Sequence, residues 1–380
     1  MPPSPVGRRR ATAAAAVALT LPLLTAATGT TTATGAASAA PERVVRLAGD
    51  PGTSVRAAEA PLARGVTQLS TSQYSQVAAT WRGSAPRISI RSAPDRPWQP
   101  LRPLTDGPDR GSAEGAPGVA GTDLLWTGPR TGIEVRVRGT GFRDVELVLI
   151  DPGVLPGDAS VDPAPTPRTT AAEPDSAPEP VLLTRKDWGA NNKWRNGEPV
   201  YLKGLKQVHV HHTATSNRYS RADVPGIIRG MYRYHTKTLG WFDIGYNFLV
   251  DRFGRAWVGR SGGPRRLVRG AHTLGFNHVS VGIAMIGNLD NRKPWGEAVK
   301  KLRRLAAWKL DAYDRKATGK VWVRSTGSDK YRDGELVRLP AIDGHRDTND
   351  TACPGQRLYD RLPGIRRHTQ ARIEAFSPPE

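Results

Sequence analysis

Two spacings of apolar positions divide the chain. Between residues 41 and 150 the spacing is two. Ile88 and Ile90 alternate with Arg87, Ser89 and Arg91; Ile133, Val135 and Val137 alternate with Glu134, Arg136 and Arg138; Val145, Leu147 and Leu149 repeat the pattern. Successive side chains of a strand point to opposite faces, so these runs predict half-buried strands. Gly, Pro and Asp separate them, which predicts a small antiparallel β-sandwich. Trp81, Trp98 and Trp126 are expected in its core, because single aromatics among strands are usually packed.

Beyond residue 180, strand and helix spacings alternate. Residues 207–214 predict a strand. Asp223 is placed to cap a helix with Pro225 in its first turn, Ile227, Ile228, Met231 and Tyr232 on one stripe, and Gly240 as its end. Residues 246–251 and 256–260 predict two strands joined at Phe253-Gly254, and the apolar, β-branched run 279–286 a strand buried on both faces. Pro294 opens a helix with Val299, Leu302, Ala306, Leu310 and Tyr313 on one stripe. Residues 339–343 predict a short strand that delivers His345, and 357–376 a last helix broken near Pro363-Gly364. Mixed strands with covering helices make an α/β domain, a central mixed sheet preceded here by the β-sandwich-like one. Residues 151–180, dominated by Pro, Ala, Asp and Thr without apolar periodicity, read as an extended linker. The expected layout is a leader over 1–39, a β-rich accessory domain over 40–150, the linker over 151–180 and the α/β domain over 181–380.

The N-terminus changes the chemical setting. Arg8, Arg9 and Arg10 precede an apolar run over 11–24 and the small-residue site Ala37-Ser38-Ala39, the pattern of an export signal. No later stretch is long and apolar enough for a membrane-spanning helix. A secreted protein without membrane insertion is expected. The charge is unevenly placed: residues 181–380 carry 37 Lys+Arg against 18 Asp+Glu, a net +19 of the chain's +20. Such basicity usually points to nucleic acid. Here the cations are scattered, and an exported protein seldom meets nucleic acid, so an anionic cell-wall polymer is the expected partner and nucleic acid is not.

Export makes the lone Cys353 informative, since it has no partner for an internal disulfide. His345 lies eight residues upstream, and His209, His211 and His212 cluster in an apolar run far upstream. Cys and His are zinc ligands, and two His with one Cys would leave the fourth tetrahedral position open, the catalytic pattern. In a strand His209 and His211 share a face and His212 takes the other. Either of the first two could be the ligand.

Residues 181–376 resemble the peptidoglycan recognition protein family, which is also the type-2 N-acetylmuramoyl-L-alanine amidase family. The matching residues are Arg185-Lys186-Asp187-Trp188-Gly189-Ala190, His211-His212-Thr213-Ala214, Gly240-Trp241-Phe242-Asp243-Ile244-Gly245-Tyr246-Asn247-Phe248, Gly270-Ala271-His272-Thr273, Ser280-Val281-Gly282-Ile283 with Ile286-Gly287-Asn288, and Gly344-His345-Arg346-Asp347 with Thr351-Ala352-Cys353-Pro354-Gly355. They are collinear over about half the chain. The signal, β-rich region and linker look like those of exported actinobacterial members. The resemblance implies zinc on His211, His345 and Cys353, and hydrolysis of the amide between N-acetylmuramic acid and L-alanine. It places Tyr246 as donor to the oxyanion and Thr351 at a second catalytic position, where phage members carry lysine. Trp241, Arg260, His272 and Asn277 are candidates for the substrate groove. Arg346 and Asp347 are expected to orient His345, His212 to be a packed histidine, and His235, His278 and His368 surface or structural. The expected protein is a monomer acting on peptidoglycan. The alternative is a receptor that keeps the fold and binds peptidoglycan without cutting it; retention of Cys353, both histidines and Tyr246 argues for the enzyme.

Overall fold

The runs of spacing two fold as strands. A computed structural model describes residues 43–161 and 176–377. The expected export signal and residues 162–175 of the expected linker lie outside the described residues. Strands β1 (Val44–Val45), β2 (Ala48–Gly49), β3 (Arg56–Pro61), β4 (Gly65–Gly83), β5 (Arg87–Arg91), β6 (Gln99–Leu101), β7 (Ala120–Gly121), β8 (Leu125–Arg138) and β9 (Phe142–Asp151) share one sheet. Its main path, β2-β3-β9-β4-β8-β5-β6, is antiparallel throughout. Alternation gives it two apolar faces. Val77, Ala79, Trp81, Leu147 and Leu149 pack with Ile88, Ile90 and Val135. Ala78, Val148 and Ile150 turn the other way and join Trp126 in a second cluster. Trp98 departs from its expected core position. It is half-buried beside edge strand β6, and the guanidiniums of Arg136 and Arg91 stand 3.8 and 4.6 Å from its ring, so cation–π contact replaces apolar packing there.

The second half is a mixed sheet with helices on its faces. Strands β10 (Leu182–Leu183), β11 (Gln207–His212), β12 (Phe248–Val250), β13 (Ala256–Val258), β14 (Ser280–Met285) and, after the hairpin β15 (Lys320–Thr326) and β16 (Asp333–Pro340), β17 (Ile342–Gly344) give the order β10-β13-β12-β14-β11-β17. Only β12 and β13 pair antiparallel. Helix α1 spans Asp223–Arg233, α2 Gly296–Asp311, α3 Gln356–Tyr359 and α4 Leu362–Glu374. The α2 stripe Val299, Leu302, Ala306 and Leu310 packs with Ile365 of α4 against Val208, Val210, Ile283 and Met285. On the opposite face Ile227, Ile228 and Met231 of α1 share one apolar cluster with Leu249, Trp257 and Ala284 and with Val148, Ile150 and Trp126 of the nine-stranded sheet.

That shared cluster is reinforced by polar contacts. Gln76 of β4 donates to the Ile227 carbonyl of α1 at 3.1 Å. A Cβ on Gly230 would overlap the Gln76 amide, so only glycine lets helix and strand approach this closely. Buried Arg229 forks onto Asp158 at 2.9 and 2.6 Å and also reaches the Trp188 carbonyl. Among the described residues no helix is long and apolar enough to cross a membrane.

Candidate metal centre

Strands β11, β14 and β17 are parallel neighbours, so their carboxyl ends open on the same side, where α/β sheets bind ligands. Strand β11 ends in His211-His212. Strand β17 hands over directly to His345, the first residue of a single 3₁₀ turn, and the chain loops back through Thr351 to Cys353. The strand alternation puts His209 and His211 on the face opposite Val208 and Val210, while His212 points the other way and accepts the Leu289 N–H at 3.1 Å. All of β11 is buried.

His211, His345 and Cys353 come together, each offering one ligand atom, with those atoms within 4.8 Å of one another. The Cys353 sulfur is 3.7 Å from His211 Nδ1. Ligand bonds of about 2.0–2.3 Å arranged tetrahedrally put donor atoms about 3.3–3.7 Å apart. The set therefore fits zinc in both chemistry and spacing. Burial also prepares it. Desolvation lowers the pKa of His211 well below the usual imidazole range and takes His345 down to about 3, against the opposing pull of Asp106. Both rings are therefore neutral, as ligands must be. Burial pushes the Cys353 thiol well above its ordinary value; a bound cation is what would deprotonate it. Both ring nitrogens of His345 are buried.

The surrounding residues fix this geometry. His272 is fully buried behind His211, with its Nδ1 3.1 Å from His211 Nε2, which leaves Nδ1 of His211 facing the cluster. It braces His211 and does not line open space. His209 is held elsewhere, 2.6 Å from Asp343, both fully buried. The Cys353 sulfur accepts the His212 N–H at 3.4 Å. Thr351 Oγ1 accepts the Cys353 N–H at 3.2 Å, and Arg346 donates its backbone N–H to the Cys353 carbonyl at 2.9 Å. Asp347 accepts from the Gly344 N–H at 2.9 Å and the Tyr359 hydroxyl at 2.5 Å, shaping the turn that presents His345. A cavity of about 300 Å³ beside the cluster is lined by Thr351, Cys353, Asp106 and Asp123 among others. His235 is buried, as a structural histidine would be, and stacks on Trp241 with centroids 4.3 Å apart.

One residue in the centre has no counterpart in the sequence reading. Asp106, from the loop between β6 and β7, places Oδ1 3.2 Å from His211 Nδ1 and 3.1 Å from His345 Nδ1, with its side chain only 6% exposed. Its Oδ2 accepts the Tyr246 hydroxyl. Burial raises the pKa of Asp106, opposed by His345 and Tyr246; the same burial, with Asp106 beside it, keeps Tyr246 protonated. In sequence Asp106 is one acid in a Gly- and Pro-rich loop, and nothing there marks it as different from a turn residue.

An α/β domain with a buried His/His/Cys cluster at the carboxyl ends of its parallel strands is thus defined. Residues 202–356 match the N-acetylmuramoyl-L-alanine amidase family, and this domain of the chain belongs to that type-2 amidase and peptidoglycan-recognition protein family. Peptidoglycan-recognition protein LE of Drosophila melanogaster is 32% identical over 182 residues, which make up 48% of this chain and 45% of that protein. The chain thus spans less than half the length of this relative. Peptidoglycan-recognition protein 1 of Holotrichia diomphalia is 29% identical over 193 residues, 51% of this chain and 83% of that protein. A crystal structure of peptidoglycan recognition protein-LE in complex with tracheal cytotoxin matches 48% of this chain and 92% of its own at 31% identity, with a TM-score of 0.38.

Proposed function

We propose that the protein is an exported zinc amidase that cleaves the bond between N-acetylmuramic acid and L-alanine in peptidoglycan. The observation that carries this reading is the convergence of one ring nitrogen each from His211 and His345 with the Cys353 sulfur in a domain whose family is named for that activity. The names of the relatives speak of recognition, so a receptor is the competing reading, and the donor set favours the enzyme: binding alone has no use for a buried thiol among neutral imidazoles.

In this reading His211, His345 and Cys353 hold zinc, which supplies Lewis-acid chemistry toward an amide carbonyl when bound. The chain's own residues do the rest. His272 fixes the tautomer and orientation of His211. Tyr246 stays protonated because it is buried, and its hydroxyl donates to the carbonyl oxygen as charge builds there. Thr351 holds the turn that presents Cys353 and borders the adjoining cavity. Trp241, Arg260 and Asn277, buried beneath the connection between β6 and β7, are the residues that would meet the muramyl peptide once uncovered. The signal at residues 1–39 exports the chain, and the domain of residues 40–150 accompanies the amidase to the wall.

The test is digestion of purified peptidoglycan by the zinc-loaded chain, read by mass spectrometry. Stem peptides with a free L-alanine amino terminus are expected, with about one zinc per chain. Cys353→Ser should lose zinc and turnover while circular dichroism stays native, because a domain of about 200 residues has its own core. Full activity in Cys353→Ser, or in rigorously metal-stripped protein, overturns the assignment.

A further inference from the structure

The groove candidates are already engaged by one stretch of the same chain. Between β6 and β7, residues 102–119 form a long connection without helix or strand, and long structureless loops inside folded domains are usually functional. Asn277 donates to the Gly107 carbonyl at 2.9 Å and to Asp109 at 3.1 Å. Arg269 forks onto Asp109, which also accepts the Gly275 N–H at 2.8 Å. Arg260 meets both oxygens of Glu114 at 2.7 Å. Ala116 donates its N–H to the Leu239 carbonyl, and Gly107 and Gly115 lie against the Trp241 ring. At the centre, Asp106 takes the Tyr246 hydroxyl with one oxygen and stands between the two imidazole Nδ1 atoms with the other.

We propose that residues 105–116 are an internal plug that keeps the centre latent, with Asp106 as the fourth metal donor. The proposal rests on reading the His/His/Cys cluster as a zinc centre. Three protein ligands leave a position open for reaction, whereas four close it. Asp106 Oδ1 stands 3.2 and 3.1 Å from the Nδ1 atoms of His211 and His345, the spacing of neighbouring donors around one tetrahedral cation. Zinc, a thiolate, a carboxylate and two neutral imidazoles sum to zero charge, which suits a buried site. A single carboxylate thus occupies the two features the reaction needs, the open position and the Tyr246 hydroxyl. Its neighbours Asp109 and Glu114 occupy the arginines an acidic peptide ligand would need. Arg110, Gly111 and Ala113 are exposed between these anchors. The loop can be reached there from solvent, and it can withdraw without breaking a strand of the nine-stranded sheet.

The test uses the full-length, zinc-loaded chain in four forms: unaltered, Asp106→Ala, Asp106→Asn, and Asp109→Asn with Glu114→Gln. Three quantities are read: zinc transfer to a chromogenic chelator, affinity for a muramyl tripeptide, and its hydrolysis. A groove closed in nine of ten molecules lowers apparent affinity about tenfold. Both Asp106 variants should therefore transfer zinc faster and hydrolyse the tripeptide about tenfold faster or more. The double variant should bind the tripeptide more tightly with Asp106 intact. Asp106→Asn keeps the side-chain shape and covers the case in which Asp106→Ala fails to fold. Faster zinc transfer without any gain in binding or hydrolysis would mark Asp106 as a structural ligand and overturn the plug, as would unchanged zinc transfer. If zinc transfer and binding rise while no variant hydrolyses, the plug stands and the amidase reading falls.

Discussion

Tyr246 shows how one side chain is asked to do two things. It is buried, its ring centroid is 5.5 Å from that of His211, and its hydroxyl is spent on Asp106. On the proposed reading, removing the hydroxyl in the unaltered chain would weaken the plug and also remove the oxyanion donor, two effects of opposite sign. We therefore expect the catalytic part to appear in the Asp106→Ala background. There Tyr246→Phe should lower kcat by about ten- to a thousandfold with little change in KM, since the oxyanion exists only in the transition state. Unchanged kcat in that background would leave Tyr246 a packing residue. The cluster of His345 and Cys353 with an upstream histidine was legible in the sequence because Cys353 and His345 sit eight residues apart and the strand spacing limits the upstream candidate to His209 or His211. The spacing could not choose between those two. The structure separates them by partner, since His209 is held by Asp343. The depth of His272 was equally hidden, because a histidine before threonine in a loop reads the same whether it lines a groove or braces a ligand. Asp106 was invisible, since its significance lies in partners more than a hundred residues away.

At the scale of elements, helix α2 does more than cover the sheet. Its Lys309 is buried, and its ammonium reaches the carbonyls of Pro264 and Arg265 at 2.8 and 3.1 Å. It thereby anchors the loop that leads to Arg269, the partner of Asp109. Burial lowers the Lys309 pKa from 10.5 to about 8. Between those values the unfolded chain holds a proton that the folded chain does not, so this group makes stability rise with pH across that window, by about 3 kcal/mol at most. Below pH of about 8 both states are protonated and the burial penalty is complete. Lys309→Met should abolish this slope. The difference in unfolding free energy between the two proteins should shift by about 2 kcal/mol between pH 8 and 10, in favour of the lysine form at high pH; a constant difference would show that Lys309 keeps its ordinary pKa. The stripe that makes α2 legible, Val299 to Leu310, ends before Tyr313, and Gly296 rather than Pro294 opens the helix. Other elements shifted for local reasons. Strand β12 begins at Phe248, so Tyr246 lies just before it, with its carbonyl accepting the Arg260 N–H at 3.0 Å. Pro363 sits in the first turn of α4, where its missing N–H costs nothing, and the break falls before it. The β15–β16 hairpin was missed although Val321 and Val323 alternate with charged residues, because Trp322 between them is exposed and blurs the pattern.

At the scale of the whole chain, charge and packing act together. The β-rich half is nearly neutral, yet it places its acids where they meet the basic half: Asp50 on Arg233, Asp109 on Arg269, Glu114 on Arg260 and Asp158 on Arg229. The sequence showed the net +19 beyond residue 180 and two ordered regions. It could not show that Trp126, Val148 and Ile150 share a core with α1, because a strand buried on both faces gives no sign of what covers its second face. Splitting the chain between the two sheets would expose that core, so wall binding is best tested on the intact protein. The cations left over after pairing should draw it to walls bearing anionic polymers. Surface charges act over a Debye length of about 8 Å at physiological ionic strength and about 3 Å at 1 M. Adsorption to intact, teichoic-acid-bearing walls should therefore fall steeply as salt rises from about 0.05 to 0.5 M, as seen by depletion of the protein from the supernatant. Hydrolysis of a small neutral muropeptide by the Asp106→Ala form should change far less over the same range, because bond cleavage depends on groups within a few ångströms of the buried centre. Walls stripped of their anionic polymers should bind less and respond weakly to salt. Adsorption that ignores salt, or that survives stripping undiminished, would assign wall attachment to the groove or to the nine-stranded sheet and leave the basic charge without a part in it.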